Sequence, residues 1–378
     1  MRRETCKETE KRERGKAVLT IILSAGLILG LAVYGLLLPD QEVSRWERRR
    51  LASAPELNGD TLLSGSFMSG MEMYLQDQFP FRDGLRSLKA LVSCGLFRQK
   101  DSHGVYTAGG YAAKLDYPLD TDSVDYAAER FACVYGQYLE ESGSEIYVSV
   151  IPDKNQFLAE KNGYPCLDFG ALTERLTEQM PYASYIEIAP LLELEDYYRT
   201  DIHWRQEKIT GVAAALNRAM GFGDGPEEVW QERRLPAPFY GVYRGQSALP
   251  MPAESMVWLE TEGMENWTVY DYETDSEIPV YDLEAAEGMD PYALFLSGSK
   301  SLLRIENPAA PEENRLILFR DSFGSSIAPL LAEHVRELIL ADIRYISPAL
   351  LGELISFEGR DVLFLYSESV LNNSETLK

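Results

Sequence analysis

Histidine is scarce in this chain, which has only three among its 378 residues: His103, His203 and His334. Four cysteines are present, and no two of them form a Cys-x-x-Cys pair. Without clusters of His and Cys, the sequence predicts neither a structural zinc site nor another metal centre. It predicts no other cofactor. Chemistry that needs an imidazole must therefore use one of three side chains.

Basic residues are also few, with 36 Lys and Arg against 60 Asp and Glu and a net charge of −24. This deficit argues against nucleic-acid binding, because Lys and Arg are what bind the phosphate backbone. An anionic polymer would be repelled too, unless the cleft that received it were locally basic. The first sixteen residues are the exception, with seven basic and four acidic side chains.

An uncharged apolar run covers residues 17–38, which is long enough to cross a bilayer. Seven basic residues precede it and four arginines follow within residues 45–50. This balance predicts a cytoplasmic tail at 1–16, a single span at 17–38 and an extracytoplasmic main domain. No small-x-small cleavage site follows the run, so the sequence predicts an uncleaved anchor. Cys94, Cys133 and Cys166 would lie outside and form at most one disulfide, whose pairing stays open.

Residues 39–60 are typical of a polar linker, and 61–378 would form the external domain. In that domain, strands alternate with helices, which predicts an α/β fold with a mostly parallel sheet covered on both faces. The predicted strands include 146–151, a short one at 185–188, 316–319, 338–341 and 362–366. Ligands bind at the carboxyl ends of such strands, and Lys154, Ser322 and Arg344 each follow one.

Residues 226–300 interrupt this pattern with many aromatic residues, prolines and acids. Short alternating runs such as 267–270 predict a mostly antiparallel insertion. Its aromatic side chains could stack on sugar rings. For most of them, a small core of the insertion itself is the favoured interpretation.

Two segments indicate chemistry when they are taken together. Asp201-Ile202-His203 places a carboxylate two residues before an imidazole, and Ser322 stands between a predicted strand and a predicted helix. An imidazole oriented by a carboxylate can take the proton of a serine hydroxyl. Each segment alone has a plain interpretation: Asp-x-His occurs in surface loops, and Asp-Ser before a helix is commonly an N-cap.

The order of several motifs carries a family resemblance over nearly all of the chain after the anchor. These motifs are Glu47–Leu51 with Pro55-Glu56-Leu57, Phe79–Asp83, Gly104-Val105-Tyr106, Ile151–Lys154, Thr200–Trp204, Phe239-Tyr240-Gly241, Phe295–Ser299, Arg320–Phe323 and Asp342–Tyr345. In this order they resemble the DHHW family of bacterial surface proteins, related to the SGNH-type alginate O-acetyltransferases. The resemblance implies an SGNH-hydrolase-like three-layer α/β fold.

The same resemblance implies roles for individual residues. Ser322 would be the nucleophile, His203 the general base and Asp201 its orienting group, with the Ser322 N–H in the oxyanion hole. The implied substrate-binding residues are Lys154, Arg344, Tyr345, Ser299 and Trp204. For Lys154 and Arg344, ordinary ion pairing is an equally good interpretation.

The chain departs from the family pattern at two positions. Ile202 stands where the family motif Asp-His-His-Trp has its first histidine, while the histidine that maps onto the catalytic one is His203. Ser299 stands where the family often has an asparagine, so a weaker donor would face the oxyanion.

Three functions fit these observations. The first is an anchored O-acetyltransferase that modifies a cell-surface polysaccharide, supplied with acyl groups by a multipass partner of the MBOAT type. The second is a carbohydrate esterase or deacetylase with the same triad and water as acceptor. The third is a polysaccharide-binding or assembly protein without turnover.

The predicted topology has a direct test. Because the charge balance places residues after 38 outside, protease added to intact cells stripped of their wall should digest the main domain. Complete protection of the domain, with digestion only after cell lysis, would contradict this topology.

Overall fold

The computed structural model describes residues 2–223 and 229–378, with side chains described from residue 12 onward. Residues 226–228 of the predicted insertion and the side chain of Cys6 therefore lie outside the described residues. The chain divides into two units, Met1–Lys89 and Ala90–Lys378. This division lies C-terminal to residue 61, the predicted start of the external domain.

The first unit contains the apolar N-terminal helix. Within the described part of the chain, one helix is long and apolar enough to span a membrane, over Arg12–Leu37. The elements of this unit are helices α1 (Arg2–Leu37), α2 (Gly59–Leu63), α3 (Ser66–Asp77) and α4 (Arg82–Leu91), and strands β1 (Val43–Ser44) and β2 (Arg49–Arg50). The segment 39–60 thus holds a short antiparallel hairpin. Pro80 separates α3 from α4, as its missing N–H predicts.

The second unit is built on an eight-stranded sheet in the order β10-β9-β11-β13-β12-β14-β5-β6. Its strands are β5 (Ile146–Ile151), β6 (Ser184–Tyr185), β9 (Thr268–Asp271), β10 (Ser276–Ile278), β11 (Leu302–Glu306), β12 (Arg315–Arg320), β13 (Glu337–Ala341) and β14 (Asp361–Ser367). The five strands from β13 to β6 are parallel, and β11, β9 and β10 add an antiparallel edge. The predicted α/β fold with a mostly parallel sheet is confirmed.

Helices cover both faces of this sheet. The helices of this unit are α5 (Thr121–Val134), α6 (Asn155–Leu158), α7 (Phe169–Gln179), α8 (Thr210–Ala219), α9 (Val242–Ser247), α10 (Leu283–Ala286), α11 (Phe323–Ala332), α12 (Leu351–Leu354) and α13 (Glu368–Asn372). Of these, α8 and α11 lie on one face of the sheet, and α5 and α7 lie on the other. Successive side chains of β12 point to opposite faces. Leu316 and Leu318 join a core with α8 and α11. Ile317 and Phe319 join a second core with α5 and α7. The result is three layers.

The insertion contributes two antiparallel features. Strands β7 (Gln231–Arg234) and β8 (Val257–Glu260) pair with each other, and β9 and β10 extend the main sheet. Phe239, Trp258 and Phe295 pack in a small core of their own. The favoured interpretation of the aromatic residues is thus confirmed for these three. Strands β3 (Val105–Ala108) and β4 (Tyr111–Lys114) form an antiparallel hairpin. Cys94, Cys133 and Cys166 are free thiols.

Candidate active site

The carboxyl end of β12 brings Ser322 to the loop that carries Asp201 and His203. The Oγ atom of Ser322 lies 2.8 Å from Nε2 of His203. On the other side of the ring, Nδ1 of His203 lies 2.7 Å from Oδ1 of Asp201. Three side chains from segments 119 residues apart therefore form one line of hydrogen bonds. Asp201 is fully buried, His203 is 7% exposed and Ser322 is half-buried.

The hydroxyl of Ser322 does not cap helix α11. Ser322 occupies the N-cap position of α11, yet its side chain makes no capping hydrogen bond. Instead, Oδ1 of Asp321 accepts from the Phe323 N–H at 3.0 Å. Its Oδ2 accepts from the N–H and hydroxyl of Ser367, at 2.8 and 2.6 Å, and so joins the turn to the end of β14. Asp321 thus holds the turn and leaves the Ser322 hydroxyl to His203.

The carboxylate of Asp201 fixes the tautomer of the His203 imidazole. Its Oδ1 accepts from Nδ1–H and from the backbone N–H of His203, and its Oδ2 accepts from the Val242 N–H at 2.8 Å. A proton held on Nδ1 leaves Nε2 free to accept the hydroxyl proton of Ser322. The contact therefore has the polarity that an activated serine needs.

Gly241 lets the chain come close enough to support Asp201. A Cβ atom at this position would lie 2.1 Å from the carbonyl carbon and oxygen of Thr200. The Gly241 N–H donates to Oγ1 of Thr200 at 2.8 Å. Glu254 binds the same residue from the other side, accepting from its N–H and its hydroxyl. Gly241 of the Phe239-Tyr240-Gly241 motif therefore supports the loop just before Asp201.

Lys154 lies beneath this loop. The side chain is fully buried, and its Nζ donates to the carbonyl oxygens of Tyr198 at 2.8 Å and Asp201 at 2.5 Å. Burial lowers the pKa of its ammonium group to about 8. The residue expected at the substrate is thus committed to the backbone that positions Asp201.

Trp204, also expected at the substrate, is fully buried. Its Nε1–H donates to Oγ of Ser326 at 2.8 Å and to the carbonyl of Phe323 at 3.2 Å. Ser326 also accepts from the hydroxyl of Tyr292 at 2.8 Å, and the Tyr292 ring stacks on His203 with centroids 3.7 Å apart. The ring of His203 is therefore held in its orientation by the stacked ring of Tyr292, which is itself fixed by the hydrogen bond to Ser326.

Several of these supporting residues were not predicted. Ser326 is one helical turn after Ser322, so the i, i+4 spacing could have indicated it. Nothing local in the sequence marks Tyr292 or Glu254, because their positions depend on how the insertion folds back. Ile202 is half-buried and packs against two apolar cores, so its side chain belongs to the interior.

Arg344, Tyr345 and Ser299 lie on segments joined to the end of β12 through Arg320. Arg344 pairs with buried Asp342 through two hydrogen bonds of 2.9 and 2.7 Å. Arg320 is itself buried, 3.7 Å from Asp342, and donates to the carbonyl of Lys300, the neighbour of Ser299. Ser299 and Tyr345 are exposed. Arg344 is thus ion-paired with Asp342, as the alternative interpretation of this residue predicted.

The first turn of α11 has one donor suited to an oxyanion. Within the described residues, the N–H groups of Phe323, Gly324 and Ser325 are bonded to Asp321 and Ser322. The remaining N–H of the turn is that of Ser322, at the positive end of the helix. Over the same described residues, no three His, Cys, Asp or Glu side chains are placed to hold a metal ion.

The fold around this site is similar to known structures. A DHHW family protein from Eubacterium siraeum matches with a TM-score of 0.57 and 16% identity, over 74% of this chain and 97% of that one. The chain shares its fold with a DHHW family protein. Bacillus cereus PatB1, also solved with a sulfonyl adduct, matches with a TM-score of 0.55 and 17% identity, over 71% and 96% of the two chains. The O-acetyltransferase domain of Pseudomonas putida AlgJ matches at 0.45 and 12%, over 71% and 92%.

At the level of sequence, no family model matches this chain, and no curated protein matches it. The resemblance to the DHHW family is therefore confirmed through the fold.

Gly241→Ala tests the support of Asp201. The added Cβ would overlap the Thr200 carbonyl, so we expect a loss of about 3 kcal/mol in the free energy of unfolding. Gly211→Ala is the matched control, because a Cβ there meets nothing within 4 Å; it should gain up to about 1 kcal/mol. Equal urea midpoints for the two variants would contradict the close approach.

Lys154→Met tests the buried ammonium through pH. In the folded protein, burial lowers the pKa of Lys154 to about 8, whereas lysines in an unfolded chain have a pKa of about 10.4. Between these values the unfolded chain binds more protons, so the wild-type free energy of unfolding should rise with pH relative to the variant. The expected relative rise is on the order of 3 kcal/mol. Urea unfolding that shows a constant difference over this range would contradict the burial of a charged lysine.

Proposed function

We propose that this chain is an acyl-transfer enzyme in which Ser322 is the nucleophile, His203 the general base and Asp201 the group that orients the base. The observation that carries the proposal is the line of hydrogen bonds, 2.8 and 2.7 Å long, from Ser322 through His203 to Asp201. A serine whose hydroxyl faces an oriented imidazole, and does not cap its helix, is arranged for nucleophilic attack.

The reaction has two halves. In the first, Oγ of Ser322 attacks the acyl carbonyl while Nε2 of His203 takes the hydroxyl proton. The oxyanion of the tetrahedral intermediate faces the Ser322 N–H. The intermediate collapses to the acyl-serine, and the leaving group departs with the proton from His203. In the second half, an acceptor hydroxyl gives its proton to His203 and attacks the acyl-serine. The bond to Oγ of Ser322 then breaks, and Oγ takes the proton back from His203.

For the substrate, we propose an acetyl group as the acyl group and a hydroxyl of a cell-surface polysaccharide as acceptor. The motif resemblance to the DHHW family supports this choice. The span at 17–38 and the charge balance around it support an extracytoplasmic domain. Acetyl-CoA is absent from that compartment, so the acyl group must cross the membrane on a partner. A multipass protein of the MBOAT type is the partner we propose.

An esterase or deacetylase would use the same residues with water in place of the sugar. The two functions differ in the second half of the reaction. With purified full-length protein, an acetyl ester donor and polysaccharide acceptors, we expect acetyl esters on the glycan. Release of acetate alone, with every acceptor tried, would favour the esterase. No turnover of any activated ester would favour the non-catalytic assembly protein.

The triad should behave as a unit. Ser322→Ala and His203→Ala should each lower turnover of an acetyl ester about 10³-fold or more, and the double variant should lose no more than either. His334→Ala, which removes a half-buried histidine outside the site, is the control and should keep wild-type turnover.

Thermal melting must stay near wild type for these variants to be compared. If the losses of the two single variants multiplied in the double variant, the two residues would act independently. That result, or full activity in Ser322→Ala, would contradict the proposed roles.

A further inference from the structure

The elbow between α3 and α4, defined as residues 79–81, lies beside the last turn of α1. The ring of Phe81 stacks on that of Tyr34, with centroids 5.7 Å apart and planes 13° apart. A Cβ on Gly35 would lie 3.1 Å from Cγ of Pro80, so the proline packs directly on the helix. Tyr34 is three residues before Leu37, the end of α1. The elbow therefore reaches back about 5 Å along the helix axis.

A network of polar contacts fixes this arrangement. The side chain of Gln78 accepts from the Gln41 N–H at 3.0 Å and donates to its carbonyl at 2.9 Å. The hydroxyl of Tyr74 donates to Asp40 at 2.9 Å. The C-terminal end of α3 is thus bonded to the residues that directly follow α1. If α1 spans a bilayer, the elbow must lie at the level where the span leaves it.

The elbow and α4 expose a row of large apolar side chains. Leu85 and Leu88 are three residues apart and share one face of α4, and Phe81 directly precedes this helix, where its carbonyl accepts from the Leu85 N–H. Their exposures are 66%, 45% and 57%, and Phe79 adds 42%. A contiguous exposed apolar face of this kind marks a surface that binds something apolar.

The polar side of the same segment is already occupied. Arg82 pairs with Glu47 at 2.5 Å and with Asp77 at 3.5 Å. Arg86 pairs with Glu47 at 3.2 Å. Both arginines of α4 are therefore paired within their own unit, while Leu85 and Leu88 of the same helix stay exposed.

We propose that the elbow and the apolar face of α4 insert into the membrane leaflet at the C-terminal end of α1. Lipid acyl chains then cover Phe79, Phe81, Leu85 and Leu88. The inference rests on the proposed span, which puts this segment at the boundary of the hydrocarbon, where aromatic and amphipathic segments are favoured. Trp46, at the tip of the β1–β2 hairpin, is 43% exposed, and tryptophan is enriched at membrane–water interfaces. The Phe79–Asp83 motif would thus be a membrane contact.

Site-specific quenching in nanodiscs tests this insertion. The full chain would carry serine in place of its four cysteines and one new cysteine, labelled with the fluorophore NBD. The test positions are Phe81→Cys and Leu88→Cys. The controls are Asp83→Cys, on the exposed first turn of the same helix, and Leu27→Cys, in the middle of α1. Doxyl-labelled phosphatidylcholine quenches from the lipid, and iodide quenches from water.

We expect the lipid quencher to act several-fold more strongly at 81 and 88 than at 83, and iodide to show the reverse order. If the lipid quencher acts on the label at position 27, while iodide quenches the labels at 81 and 88 as strongly as the one at 83, then α1 spans the bilayer but the proposed insertion is wrong. If 81 and 88 are shielded from both quenchers, protein covers the face and the proposal is also wrong. If 27 escapes the lipid quencher, the span itself fails and the insertion fails with it.

Discussion

The buried carboxylate of Asp201 is the group on which the rest of the site depends. A carboxylate without exposure is costly to bury unless hydrogen bonds stabilise its charge. Here three N–H groups do so, from the ring and backbone of His203 and from the backbone of Val242. The same contacts fix the imidazole tautomer and bring the insertion against the loop. Stability of the loop and orientation of the His203 ring toward Ser322 therefore arise from one set of interactions.

That set is assembled from parts of the chain that are distant in sequence. The end of β12 supplies Ser322, and the loop before α8 supplies Asp201 and His203. The start of α9 supplies the backbone N–H of Val242, and β5 leads into Lys154. A parallel sheet makes this possible, because neighbouring strands end at one edge and their following loops converge there. The antiparallel strands β9, β10 and β11 extend the other side of the sheet.

Sequence periodicity predicted the sheet well because its strands are continuous apolar runs. The observed bounds of β5 match the prediction, β13 begins one residue earlier than predicted, and β12 and β14 are each longer by one residue at both ends. The loops were harder to predict than the strands. Short segments with few apolar residues show no hydrophobic periodicity. Residues 39–60 were therefore predicted to be a linker, although they contain the β1–β2 hairpin. The short strand expected around 185–188 lies instead at Ser184–Tyr185, because its length depends on pairing with β5.

The pairing of Ser322 with Asp201 and His203 could be predicted because residue types and motif order restrict the chemistry. The supporting residues could not, because burial decides their roles. Lys154 and Trp204 look like binding residues in the sequence, yet both are fully buried and bonded to the loop and to α11. The need for glycine at 241 became evident only from the backbone that passes beside it.

The central claim is that Ser322 carries the acyl group between the two halves of the reaction. It is tested most directly by rapid acid quenching of the full-length protein during turnover of 4-nitrophenyl acetate, followed by peptide mass spectrometry. Trypsin would release residues 321–336, which also contain Ser325 and Ser326 as internal references. We expect one acetyl group on Ser322, none on the other two serines, and none in protein that lacks the His203 imidazole. An acetyl group on a different residue, or one that persists without the Ser322 hydroxyl, would contradict it.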